Sequence, residues 1–109
     1  MTKKPVSLTS IAQWQLLQLL SYLSEEWSVK IRDEFLEKFK KAIEQIQLFP
    51  EACQEVKYRK NVRRKIVTEQ NSIYYTEFEN EILVLAIFDN RQDPKKTLKS
   101  IKKTFGYMV

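Results

Sequence analysis

Histidine is missing from all 109 residues, and cysteine and glycine occur once each. Without histidine there is no Ser-His or Cys-His catalytic pair, and the residue most often used as a general base near neutral pH is gone. Cys53 stands alone, so a disulfide framework and Cys/His zinc sites are excluded, and neither a metal nor a cofactor is expected. A single glycine leaves no Gly-rich phosphate loop to be written, which removes nucleotide hydrolysis from the list of functions. A long apolar run is also lacking. The start Met1-Thr2-Lys3-Lys4-Pro5 leads into an amphipathic stretch, so no signal peptide, no membrane association and a cytoplasmic location are expected.

What is present suits one globular domain. Hydrophobic residues make up 43% and charged residues 30%, enough apolar material for a core and no sign of disorder. We expect a single domain over residues 1–109, with a core at about 5–98 and a basic extension at 99–109. Nineteen Lys and Arg against fourteen Asp and Glu leave +5, with the excess in the second half, which favours an acidic or polyanionic partner.

The fold class expected is α+β. Val6 to Leu8 is short and β-compatible, and Thr9 or Ser10 can cap the helix that follows. Ser10-Ile11-Ala12-Gln13 reads as a capping box. Ala12, Leu16, Leu19, Leu20, Leu23 and Trp27 recur every three or four residues and form one stripe. Ser28 can cap a second helix whose stripe is Ile31, Phe35, Phe39, Ala42, Ile43 and Ile46, with Glu34–Lys38 and Glu37–Lys41 spaced for ion pairs on its other side. Pro50 restricts Phe49 and ends that helix near Leu48. Two such helices with a short connection predict an antiparallel hairpin.

After a polar, basic connection at 51–61 the apolar period changes to two. Val62 to Thr68, Ser72 to Phe78 and Glu81 to Asp89 predict a three-stranded antiparallel meander. Ile82 to Phe88 is apolar throughout, so that strand should be central, with both faces covered. The helical hairpin covers one face. For the other, Asp93-Pro94 can open a short C-terminal helix with Leu98, Ile101 and Phe105 on one side.

Taken together, Leu8-Thr9-Ser10-Ile11-Ala12 with Leu16, the helix-closing Pro50, Val62-Arg63-Arg64-Lys65-Ile66-Val67, Ile73-Tyr74-Tyr75 and Phe88-Asp89-Asn90-Arg91-Gln92-Asp93-Pro94 resemble the RelE/ParE toxin pattern. The resemblance runs from about Pro5 to Leu98, and the Arg-Gln-Asp-Pro ending is most similar to the ParE-like, plasmid-stabilisation branch. It implies the toxin of a type II toxin–antitoxin system, held by a cognate antitoxin in a hetero-oligomer. In the ParE-like branch it implies binding of DNA gyrase; in the RelE-like branch, cleavage of mRNA on the ribosome. A third reading is a non-toxic member that only binds its antitoxin.

For RNA cleavage the resemblance nominates Arg64 and Arg91, with Lys65 beside them, as cations facing one phosphate. Arg64 and Arg91 also have structural readings, as solvated rim residues or as partners of Glu77 or Asp89. Where RelE-type sites place a Tyr or His near the end of the sheet, Asp89 and Asn90 stand instead, which favours action by binding. Tyr74 and Tyr75 read as packing residues, one on each sheet face. The cluster Lys57, Arg59, Lys60, Arg63 and Arg64 is the candidate partner-binding surface, suited to an acidic antitoxin or to nucleic acid.

Overall fold

The structure is a computed structural model, described here for residues 3–57 and 59–90. The elements run β1 (Val6–Leu8), α1 (Ser10–Glu26), α2 (Val29–Leu48), β2 (Arg63–Ile66), β3 (Asn71–Glu77) and β4 (Ile82–Asp89). The expected tail helix and Arg91 lie outside the described residues.

β1 ends where Thr9, still extended at φ −62° and ψ 162°, caps α1 by accepting from the Ala12 N–H at 3.0 Å. The cap is therefore Thr9 and not Ser10, which is already helical. The reason is tertiary: the Thr9 hydroxyl also donates to the Leu85 carbonyl at 2.8 Å, a partner out of reach once the chain has turned into the helix. Gln13 still reaches back, donating from Nε2 to the Leu8 carbonyl at 3.0 Å. Ser28 caps α2 as expected, accepting from Ile31 N–H at 3.1 Å, and the helix stops at Leu48, two residues ahead of Pro50.

The four strands form one mixed sheet in the order β1-β4-β3-β2. β1 runs parallel to β4, pairing Val6 with Ile82 and Leu8 with Val84, while β2, β3 and β4 form the antiparallel meander. β4 is thus central. Between Tyr74 and Tyr75 of β3 the register shifts, so that Tyr74 pairs with Ala86 but Tyr75 with Val84, and Leu85 is the extra residue of a β-bulge.

The helical hairpin packs on one sheet face. Ala12, Phe35, Phe39, Ala42 and Ile46 meet Ile73, Tyr75, Ile82, Val84 and Ile87 in the larger core. The opposite face carries a second, smaller core of Val62, Tyr74, Leu85 and Ala86, with Val56, Leu83 and Phe88 against it. Both faces of β4 are therefore covered, as an all-apolar strand requires.

Two residues assigned to the buried stripes lie outside them. Trp27 is 68% and Ile31 38% exposed. Trp27 has left helical geometry, with φ −122° and ψ −88°, so helical spacing no longer governs where it points; Ile31 sits in the first turn of α2 beside it. The surface pairs also differ: Glu37 meets Lys40 at 3.8 Å rather than Lys41. Such an exposed contact is worth only a few tenths of a kcal/mol, too little to dictate which lysine is used.

Phe39 is 6% exposed in the middle of the larger core and stacks at a tilt on Phe35, ring centroids 6.2 Å apart. Phe39→Ala should lower unfolding free energy by about 3–5 kcal/mol through cavity formation. Denaturant titration reads this directly, and an unchanged midpoint would overturn the assignment of the buried face.

Candidate functional site

Alternation along β2 separates the nominated cations. Arg64 pairs with Tyr74 and lies on the smaller-core face; Arg63 and Lys65 pair with Tyr75 and Ile73 and lie on the helical face. Arg64 and Lys65 are thus neighbours in sequence that project to opposite sides of the sheet.

Arg64 is held tightly. Its Nε donates to Ser72 Oγ at 3.1 Å and its terminal nitrogen donates to Asn90 Oδ1 at 3.1 Å. Ser72, fully buried, also donates to Asn90 Oδ1. Asn90 in turn donates from Nδ2 to the carbonyls of Thr68 at 3.1 Å and Glu69 at 2.9 Å, and its backbone N–H donates to the Gln70 carbonyl at 2.8 Å. One asparagine therefore ties the end of β4 to the β2–β3 turn and to the guanidinium of Arg64. Neither Glu77 nor Asp89 accepts from Arg64 in these bonds: Glu77 pairs with Lys4 at 2.7 Å.

Tyr74 neighbours Arg64 and packs edge-on against Phe88, with ring centroids 5.9 Å apart. Burial raises its phenol above the ordinary 10.0, and the Arg64 charge offsets this only in part. Tyr75, on the other face, is fully buried and donates to the Pro50 carbonyl at 2.7 Å. Its phenol is raised further, first by burial and then by the neighbouring Cys53. Both hydroxyls remain protonated at neutral pH, so neither serves as a base.

The basic cluster is spread along the sheet edge rather than gathered at one point. Lys57 and Lys60 are exposed on the connection, and Arg59 is half-buried there. Arg63 is turned inward, bonding the carbonyls of Glu51 at 3.3 Å and Cys53, and meeting Glu55 at 3.6 Å. Asn61 supports the approach to β2 in the left-handed region, φ 67°, a conformation asparagine tolerates, and its carbonyl accepts from Thr76 Oγ1 at 2.6 Å.

A groove of about 640 Å³ opens between the hairpin's turn and the β2–β3 turn, with Tyr22, Trp27, Ile31, Glu34 and Glu69 among its lining. Sequence reasoning missed it, because Trp27 and Ile31 read as core. The signal that was available is Glu25-Glu26-Trp27-Ser28, where an aromatic stands between two helix ends. Among the described residues no group of His, Cys, Asp or Glu is placed to hold a metal, and no helix is long and apolar enough to cross a membrane.

The sequence profile of the ParE toxin of the type II toxin–antitoxin system parDE matches residues 6–94. This spans most of the chain, from β1 through the end of β4, and the protein belongs to the ParE toxin family of type II toxin–antitoxin systems. Two solved structures share the fold. A chain of the chromosomal ParDE toxin–antitoxin system from Pseudomonas aeruginosa superposes with a TM-score of 0.66 at 13% identity, covering 80% of this chain and 96% of that one. A conserved hypothetical protein from Helicobacter pylori superposes with a TM-score of 0.52 at 14% identity, covering 82% and 97%. No curated protein matches by sequence.

Because Asn90 satisfies Arg64, Ser72 and two turn carbonyls at once, Asn90→Ala should destabilise the fold by about 1–3 kcal/mol, the range for stranding part-buried polar groups. The amides of residues 68–71 should exchange faster in the same variant. A variant as stable as the parent would show that the network is decorative.

Proposed function

We propose that this family member is a toxin that acts by binding DNA gyrase, and that a cognate antitoxin neutralises it in a cytoplasmic hetero-oligomer. The observation that supports binding over cutting is the engagement of Arg64 by Ser72 and Asn90. Attack of a 2′-hydroxyl on a phosphate needs a base, an acid and free cations around the pentavalent centre. Here the neighbouring phenol of Tyr74 is buried and pushed upward, and Lys65 lies on the other sheet face. The guanidinium commits two of its five N–H donors to Ser72 and Asn90, which fixes its position.

Surface chemistry supports the same reading. Tyr22 and Trp27 stand exposed at the rim of the groove, and clustered aromatics of this kind are typical of protein interfaces. The net charge of +5 favours approach to an acidic antitoxin or to nucleic acid.

Purified toxin added to gyrase should block supercoiling or stabilise cleavage complexes, and leave in-vitro translation untouched. Codon-phased cuts in translated messages, lost with Arg64→Ala, would replace this reading by a ribosome-dependent endoribonuclease. Harmless overexpression of the folded protein would leave only antitoxin binding. A short acidic reading frame beside this gene, whose product co-purifies with the chain, tests the pairing itself.

A further inference from the structure

The chain carries +5, yet the groove between the hairpin's turn and the β2–β3 turn is acidic. Its described lining holds three carboxylates, Glu34 of α2, Glu69 of the β2–β3 turn and Asp89 at the end of β4, against one cation, Lys38. Glu34 and Lys38 are spaced to pair but do not, and neither Glu34 nor Glu69 has an ion-pair partner among the described residues. Both glutamates are exposed, and Glu25 and Glu26 stand exposed just ahead of Trp27. Glu34 and Glu69 thus flank one space from its two sides, each without a counter-charge.

Between them the groove is apolar. Leu19 and Leu23 of α1 line it, and Tyr22 and Trp27, 53% and 68% exposed, stand at its rim. Its 640 Å³ falls within the roughly 300–1,000 Å³ usual for binding pockets, room for a few side chains. Carboxylates beside exposed aromatic rings suit a long cation. The stem lies on apolar surface, the charge reaches the carboxylates, and an arginine plane stacks on tyrosine or tryptophan.

Charge decides what enters. An acidic antitoxin segment or nucleic acid would bring negative charge up to Glu34 and Glu69, which like-charge repulsion opposes. Such partners suit instead the cluster Lys57, Arg59 and Lys60, which precedes β2, whereas the groove lies where β2 turns into β3. The two surfaces are at opposite ends of β2 and of opposite sign. A second copy of this chain offers cations too, but +5 on both copies opposes the approach.

We propose that this groove is the target-binding site of the toxin, and that it takes a cationic segment of the target protein in which arginine or lysine enters between Glu34 and Glu69 and apolar neighbours rest on Leu19, Leu23 and Trp27. This rests on the gyrase reading for the protein that supplies the segment, and on the chemistry of the groove for the rest.

The test pairs a titration of the isotope-labelled full chain with a gyrase supercoiling assay. A synthetic peptide alternating arginine and leucine should bind and shift the Trp27 indole and the amides of residues 68–71, and one alternating glutamate and leucine should not. The double variant Glu34→Lys, Glu69→Lys, at two exposed positions, should keep the parent's melting temperature, lose peptide affinity by about tenfold or more, and lose gyrase inhibition to a similar degree. Trp27→Ala should weaken both in the same direction and serves alone should the double variant not fold. Glu44→Lys with Glu79→Lys, the same charge change at exposed positions outside the lining, should weaken neither. Equal binding of the glutamate peptide, no binding of the arginine peptide, or full gyrase inhibition by the groove variants would overturn the proposal. So would a Trp27 signal that moves with protein concentration in the parent alone, which would give the groove to a second copy. Arginine-peptide binding in the groove of a chain that leaves gyrase untouched would keep the chemistry of the site and reject gyrase as the source.

Discussion

The fold depends on how one central strand is satisfied after its first neighbour leaves it. β1 pairs with β4 for only three residues, Val6 to Leu8, yet β4 continues to Asp89. Beyond Val84 the groups facing that side would be buried without partners, at about 1–3 kcal/mol each. Residues of α1 and its cap supply them instead. Thr9 donates its N–H to the Val84 carbonyl at 3.0 Å and its hydroxyl to the Leu85 carbonyl at 2.8 Å, and Gln15 accepts from Ile87 N–H at 2.8 Å. The same Thr9 oxygen caps α1. Helix initiation and completion of the sheet are thus one event, and the hairpin's position over Ile82, Val84 and Ile87 follows from it.

The bulge at Leu85 adds a second consequence. Strict alternation would return Ala86 to the helical face and send Ile87 to the other. With one residue inserted, Leu85 and Ala86 both join the smaller core, Ile87 returns to the helices, and Asn90 arrives on the face of Ser72 and Arg64. The Arg64 network is therefore a product of the bulge. A guanidinium whose position is set by a buried serine and an asparagine fixed at the strand end is a structural cation first. That arrangement is what the proposal of action through surfaces, rather than through chemistry at Arg64, is built on.

Much of this was legible in the residues. The period of three and four found α2, Pro50 found its end, and the all-apolar run Ile82 to Phe88 found the central strand. Residues at the joints were harder to read. Thr9 and Ser10 are equivalent as local caps, and only the Leu85 carbonyl distinguishes them. A bulge leaves no mark in a strand that is apolar at every position, because a slip of one residue looks the same. Asn90 read as a poor substitute for a catalytic residue because its five hydrogen bonds are all to residues distant in sequence. Trp27 fitted the stripe of α1 by number while its backbone had already left the helix.

The two helices then explain why so small a domain calls for a partner. α2 has charged residues on its outer side, whereas α1 has none from Ser10 to Ser24 and still exposes Trp14, Leu17 and Tyr22. The sheet it covers is narrow, four strands of which one has three residues, so one face of α1 is all that the core can use. The rest stays on the surface, where each Å² of apolar area that a binding partner covered would contribute about 25 cal/mol. At the far end of the same sheet, β2 has the opposite character, basic and rich in open backbone groups. An apolar helix at one end and a cationic edge at the other cannot satisfy each other, because the sheet lies between them.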